Sequence, residues 1–150
     1  MTNPAAPHSI TILLADDDAD DCLLTRDALA AGQGTSTLRT VCDGEDLMNY
    51  LYQRGPYQAA GAAPRPDLIL LDLSMPKKSG LQALAEIKAA PHLRLIPIVV
   101  MTTSSQEEEI RRSYDLGASS FVTKPVRFET LVDVMNNIDR YWFQTVELPL

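Results

Sequence analysis

Cysteine is nearly absent. Cys22 and Cys42 are the two the chain has, and they stand outside any metal-ligand spacing. Both are read as reduced, partly buried thiols that pack as small hydrophobes. Long apolar runs are missing as well: none approaches the roughly 20 residues of a membrane span. Residues 1–9 lack the basic and apolar regions of a secretory signal, so a cytoplasmic protein with no membrane partner is expected. Positive charge is scarce, with 13 Lys and Arg against 20 Asp and Glu and a net charge of -7. That balance argues against nonspecific nucleic-acid binding, which needs a basic surface. It fits a charged protein or a cation as partner. No glycine-rich fingerprint follows any strand-like run, which excludes a nicotinamide enzyme. Repeats and linkers are lacking too, so residues 1–150 are expected to form one domain.

What is present alternates. Strand-like runs lie at 10–15, 37–41, 68–72, 96–102 and 121–123, the second being the weakest. Between and after them come five helical patterns. Leu23, Leu24, Ala28, Leu29 and Ala31 mark the first, stopped by Gly32 and Gly34. A short one covers 46–52, and Leu81, Leu84, Ala85 and Ile87 mark the third. A polar one at 106–116 has only Ile110, Tyr114 and Leu116 to bury, so it should be the least firmly held. The last runs from Phe128 through Leu131, Val132, Met135, Ile138 and Trp142. The stretch 55–66, with three prolines and two glycines, reads as a long loop. Alternating strand and helix implies an α/β fold with a parallel sheet and right-handed crossovers.

The strands end in chemistry. Leu68-Ile69-Leu70-Leu71 fits a strand covered on both faces, yet it runs straight into Asp72. The first strand runs into Asp16-Asp17-Asp18, the fourth ends at Thr102-Thr103, and the fifth meets Lys124-Pro125. Ligands of open parallel sheets sit outside these carboxyl ends. Clustered carboxylates repel one another unless a cation joins them. Magnesium favours one or two carboxylates plus waters and a phosphate. Helix capping accounts for Asp18 or Asp20 but not for three consecutive acids. Asp16 and Asp17 are therefore candidate metal ligands. Asp72 is a candidate nucleophile for a phosphoryl group, with Lys124 and Thr102 to neutralise and bind its oxygens.

The set Asp16-Asp17, Asp72, Thr102 and Lys124-Pro125 resembles the receiver domain of two-component response regulators. Thr102 follows Asp72 by 30 residues and Lys124 follows Thr102 by 22, both usual spacings in that family. The resemblance implies a doubly wound, flavodoxin-like (βα)5 fold with a five-stranded parallel sheet of order 2-1-3-4-5. The receiver core would span about 10–143, with an extension at 144–150. It implies that Asp72 is the phosphoacceptor and that Asp16, Asp17, Asp72 and the Ser74 backbone carbonyl hold Mg2+. Thr102 and Lys124 would contact the phosphoryl group, and Ser74 and Ser104 would tune its loss. Thr102 and Phe121 would act as the switch pair, and Lys124-Pro125 would carry a cis peptide. The run 73–80, Thr102-Thr103-Ser104 and the ending 140–149 look like the single-domain regulators that partner bacterial phytochromes. This narrower resemblance implies a sensor histidine kinase, a bacteriophytochrome, as partner.

Two other readings compete. A haloacid-dehalogenase-like phosphatase also uses a nucleophilic aspartate, magnesium, a threonine and a lysine, but its D-x-D-x-[TV] motif is incomplete at Asp16–Asp20. A calcium loop would use Asp16, Asp18 and Asp20, but Asp21 stands where the sharp turn needs glycine. Finally, Phe128, Val134 and Tyr141 leave an apolar strip beside the last helix's inward stripe, and Phe143, Val146, Leu148 and Leu150 extend it. Such a strip suggests a homodimer; the alternative is a tail folded onto its own domain.

Overall fold

The computed structural model describes residues 10–32 and 34–149. Among these, five strands alternate with five α-helices: β1 (Thr11–Ala15), α1 (Ala19–Ala31), β2 (Thr37–Val41), α2 (Gly44–Leu51), β3 (Leu68–Leu71), α3 (Gly80–Ala89), β4 (Ile98–Thr102), α4 (Glu107–Asp115), β5 (Ser120–Thr123) and α5 (Phe128–Arg140). The pairings are parallel and the order is β2-β1-β3-β4-β5, the expected doubly wound arrangement.

The apolar runs become strands because helices cover both faces of the sheet. Every residue of β1, β3 and β4 is buried, and successive side chains turn to opposite faces. Leu13, Ile69, Leu71, Ile98 and Val100 join Leu47, Leu84 and Ile87 in one core cluster. Ile12, Leu14, Leu70, Val99 and Met101 join Ala28, Leu131, Met135 and Ile138 in the other. β2 lies at the edge, and Val41 is its buried residue.

Two helices bury only part of the face expected: Ala28 and Leu29 of α1 turn inward, as do Ile110 of α4 and Leu116 at its end, but the rest differs. In α1, Thr25 and Ala28 are buried, whereas Leu23 and Leu24 are 56% and 44% exposed. Small residues suit this face because α1 ends hard against α5: a Cβ on Gly32 would sit 2.3 Å from Asn136 Oδ1. In α4, Ser113 is the buried residue, Ile110 and Leu116 are half-buried, and Tyr114 points largely to solvent. Ser113 is tolerated inside because its hydroxyl donates to the Glu109 carbonyl one turn earlier, at 2.8 Å.

The loop 55–66 has structure of its own. It opens with a 3-10 turn, Gly55–Tyr57, and Tyr57 and Tyr50 donate their hydroxyls to Asp46 and the Pro64 carbonyl. Cys22 is half-buried as expected, but Cys42 is exposed. It follows the edge strand, and its thiol faces the carboxylates of Asp43 and Asp46 instead of packing. Beyond Arg140 the helix widens into a π turn, Tyr141–Thr145. There Trp142 and Phe143 pack on the second core cluster, and Leu148 lines a cleft with Pro66, Ile96 and Pro97. Much of the tail therefore folds onto its own domain. Residues 1–9 and Leu150 lie outside the described residues.

Candidate functional site

Strand register assembles the rim. Ala15 lies opposite Leu71, so the next residues, Asp16 and Asp72, emerge side by side at the carboxyl end of the sheet. Thr102 lies opposite Thr123, which places Lys124 beside it. The backbone locks these positions: Asp72 N–H donates to the Ala15 carbonyl at 3.0 Å and Lys124 N–H to the Thr102 carbonyl at 2.8 Å.

Asp16 and Asp72 are 2% and 6% exposed, and Asp17 beside them is open to solvent. One oxygen from each of the three lies within 4.8 Å of the others, a spacing one divalent cation can bridge. Lys124 Nζ reaches into the same space and donates to Asp16 at 2.7 Å, Asp21 at 2.9 Å and Asp72 at 3.1 Å. Burial pushes the Asp16 carboxyl up from its usual range, against the pull of the Lys124 hydrogen bond. Burial alone would lower Lys124, but its bonds to Asp16 and Asp21 outweigh that and hold it above its ordinary value. The two directions are compatible because one cation serves three carboxylates. The lysine gains from each, while each carboxylate shares a single ammonium. The remaining negative charge favours a second, divalent cation.

The Thr102 side chain is fully buried, and its Oγ1 has no hydrogen-bond partner among the described residues. A buried hydroxyl left unpaired is costly; here it stands at the rim where an incoming oxygen could accept its proton. Phe121 is half-buried and packs against the first core cluster. It pairs with Val100, two residues before Thr102, so strand alternation puts Thr102 and Phe121 on the same face.

Two glycines hold the surrounding loops close. A Cβ on Gly80 would lie 2.3 Å from the Asp72 carbonyl oxygen and 2.6 Å from Leu73 Cα. A Cβ on Gly44 would lie 2.0 Å from the Lys78 carbonyl oxygen, so the first turn of α2 rests directly on the loop after β3. Asp43, which caps α2 by accepting from Asp46 N–H, also sits 3.8 Å from Lys77 Nζ on that loop.

The structure thus brings together Asp16, Asp17, Asp72, Thr102 and Lys124, with Phe121 on the adjoining strand. Ser74 and Ser104 stand on the loops that flank them, where Ser104 Oγ accepts from Gln106 N–H at 3.4 Å. Asp18 is taken by the α1 cap, accepting from the Asp20 and Asp21 amides, and the segment that precedes it is strand β1, where a calcium loop of this kind follows a helix. The Lys124–Pro125 peptide corrects the expected cis bond: there is none among the described residues. The trans isomer is the lower in energy for X-Pro by about 0.5–1 kcal/mol, and it is compatible here with the Lys124 ladder bond. The strip proposed for dimerisation runs along α5 and the tail. Phe128 and Tyr141 are exposed, while Val134, Phe143, Val146 and Leu148 are half-buried.

Sequence reasoning missed three residues. Asp21 was legible in principle, since it lies one helical turn after Asp17. Gly44 and Gly80 act by lacking a side chain, and periodicity cannot show that.

Known proteins share the sequence and the fold that carry these residues. The family model for the response regulator receiver domain matches residues 12–136. Response regulator Rcp1 from Synechocystis sp. is 38% identical over 149 residues, 99% of this chain and 99% of that protein. The structure of the phosphorylated cyanobacterial phytochrome response regulator RcpA superposes with a TM-score of 0.86 at 42% identity, covering 95% of this chain and 99% of that one. The Mn(2+)-bound form of response regulator Rcp1 gives a TM-score of 0.84 at 39% identity, covering 94% and 99%. The haloacid-dehalogenase-like alternative finds no support. The chain belongs to the response regulator receiver domain family and is a receiver of two-component signalling.

Proposed function

We propose that this chain accepts a phosphoryl group on Asp72 from a sensor histidine kinase of the bacteriophytochrome class. The observation that carries the reading is the placement of Asp72. It is buried at the carboxyl end of β3, within 4.8 Å of oxygens of Asp16 and Asp17 and 3.1 Å from Lys124 Nζ. In the transfer, an Asp72 carboxylate oxygen forms a bond to phosphorus as the P–N bond of the kinase's phosphohistidine breaks, and the imidazole leaves. Lys124 holds Asp72 in place before transfer and neutralises a phosphoryl oxygen after it. Thr102 donates its unpartnered hydroxyl to another oxygen, and Phe121 turns toward the space Thr102 vacates. Ser74 and Ser104, on the flanking loops, set how readily water reaches the acyl phosphate. Asp16, Asp17, Asp72 and the Ser74 carbonyl would hold Mg2+, which supplies neutralising charge to the phosphoryl oxygens.

The donor class rests on similarity to relatives named as phytochrome response regulators. The chain would act in the cytoplasm, as one receiver unit over 10–143 with a short extension. It would catalyse its own phosphorylation and dephosphorylation and turn over no other substrate. No helix among the described residues is long and apolar enough to cross a membrane. The test is phosphotransfer from a panel of sensor histidine kinases with Mg2+ present. Fastest labelling by a phytochrome kinase is expected. Equal or faster labelling by unrelated kinases would remove the phytochrome assignment, and no labelling by any kinase or by acetyl phosphate would remove the receiver function.

A homodimer through Phe128, Val134, Tyr141, Phe143, Val146 and Leu148 remains part of this proposal, in narrowed form. Phe143 and Leu148 already contact their own domain, so the exposed Phe128 and Tyr141 would make the centre of the contact. Sedimentation of the wild type against a Phe128→Ser, Tyr141→Ser double variant tests it; a monomeric wild type at tens of micromolar ends it.

A further inference from the structure

Helix α4 is held by very little. Its first turn carries Glu107, Glu108 and Glu109, and no side chain of its Gln106 cap bonds to the helix. Ser113 is its buried residue. On so weakly packed a helix two polar features stand out, and they act in opposite directions. The Tyr114 hydroxyl, on a ring that is 49% exposed, accepts the Phe121 backbone N–H at 3.1 Å. That amide lies on β5, the edge strand of the sheet, so the tyrosine ties α4 to the strand that carries Phe121. Glu109 does the reverse: its Oε2 is buried without a partner among the described residues. A buried carboxylate oxygen left unpaired disfavours the arrangement that buries it.

We propose, resting on the phosphoacceptor reading of Asp72, that Tyr114 is a positioning residue which holds α4 in its resting place through the Phe121 amide, while Glu109 biases the helix to leave it. This resting place is the one seen here, with Thr102 Oγ1 unpartnered and Lys124 bound to carboxylates. Movement of Thr102 toward a phosphoryl group pulls on the loop at 103–106, and α4 follows that loop directly. A helix packed through Ser113, Ile110 and Leu116, tied to β5 by one side-chain hydrogen bond and loaded by one unpaired oxygen, is suited to a switch element, which needs two positions close in free energy. A bond made only in the resting position opposes phosphoryl binding by its own worth, and linkage makes the effect visible at Asp72.

The experiment uses the full chain, Mg2+ and beryllofluoride as the phosphoryl probe, with calorimetry and amide hydrogen exchange. Tyr114→Phe removes one oxygen and keeps the ring. It should bind beryllofluoride about two- to tenfold more tightly than the wild type, the range expected for one hydrogen bond, and the Phe121 amide should exchange faster with no ligand present. Glu109→Ala should shift the affinity the other way. An unchanged or weakened affinity in Tyr114→Phe overturns the proposal, as does an unchanged Phe121 exchange rate. A wild type that binds no beryllofluoride overturns the receiver reading instead. The ligand-free exchange measurement then still judges the Tyr114 contact by itself.

Discussion

The rim at β1 and β3 and the pair formed by α4 and β5 belong to one domain but are built differently. At β1 and β3 every strand residue is buried, and Asp16 and Asp72 emerge from that core with their oxygens already engaged. Across α4 and β5, one helix residue is buried and no residue of β5 is. The first region can hold reacting atoms in place because the core gives it no second arrangement. The second can move because few contacts must break. A receiver needs both, a fixed acceptor and a neighbour that yields.

The comparison breaks most completely at Asp72. Asp72→Asn keeps the shape and removes the proposed nucleophile, so acid-stable, alkali-labile phosphoryl labelling should disappear while the fold remains. Undiminished labelling would show that the acceptor lies elsewhere. Asp17→Ala comes next. It takes one oxygen from the cluster, and phosphorylation by acetyl phosphate should slow by orders of magnitude. Its thermal stability should hold or rise, because a repelling carboxylate is gone. Magnesium affinity measured by calorimetry decides it, and an affinity equal to wild type counts against the site.

Packing sharpens the contrast further. Leu70 is fully buried between β1 and β4, and Leu70→Ala should cost about 2–5 kcal/mol in urea unfolding. Ile110 on α4 is half-buried, and Ile110→Ala should cost about 1 kcal/mol or less. Equal losses would mean that α4 is as firmly held as the central strands.

The same division explains what could be read without coordinates. β1, β3 and β4 were legible because they are apolar on both faces, and the rim followed because parallel strands in register end together. Thus Asp16, Asp72, Thr102 and Lys124 could be placed from strand ends alone. Where packing is thin, pattern misled. Leu23 and Leu24 looked like part of a core stripe with Ala28; Ala28 is buried, but Thr25 and not the two leucines joins it, because α5 comes so close. Tyr114 counted as a core residue although it is half exposed and its hydroxyl accepts from the Phe121 amide. Gly44 and Gly80 left no trace in the periodicity, since their contribution is the space a Cβ would fill.

A further effect is expected in alkali, where the lysine of the rim shows its part. Lys124 is held charged, its folded value raised above the ordinary 10.5. For a raised group the stabilisation is complete below the unfolded value and is lost as pH rises through the folded one. Other groups titrate there too: burial raises Cys22 from 9.0 to about 11 and lifts Tyr50 and Tyr57 above 10, so the wild-type curve alone would mix their contributions. The difference between the wild type and Lys124→Met, with chelator present, cancels them. That difference should favour the wild type by about 1.5–3 kcal/mol at pH 8, the scale of hydrogen bonds to charged groups. It should stay level until pH passes 10.5 and then shrink. A difference that begins to close well below that pH would mean that the carboxylates of Asp16, Asp21 and Asp72 do not hold the proton on Lys124, and the rim would lose its claim to be the rigid half of the comparison.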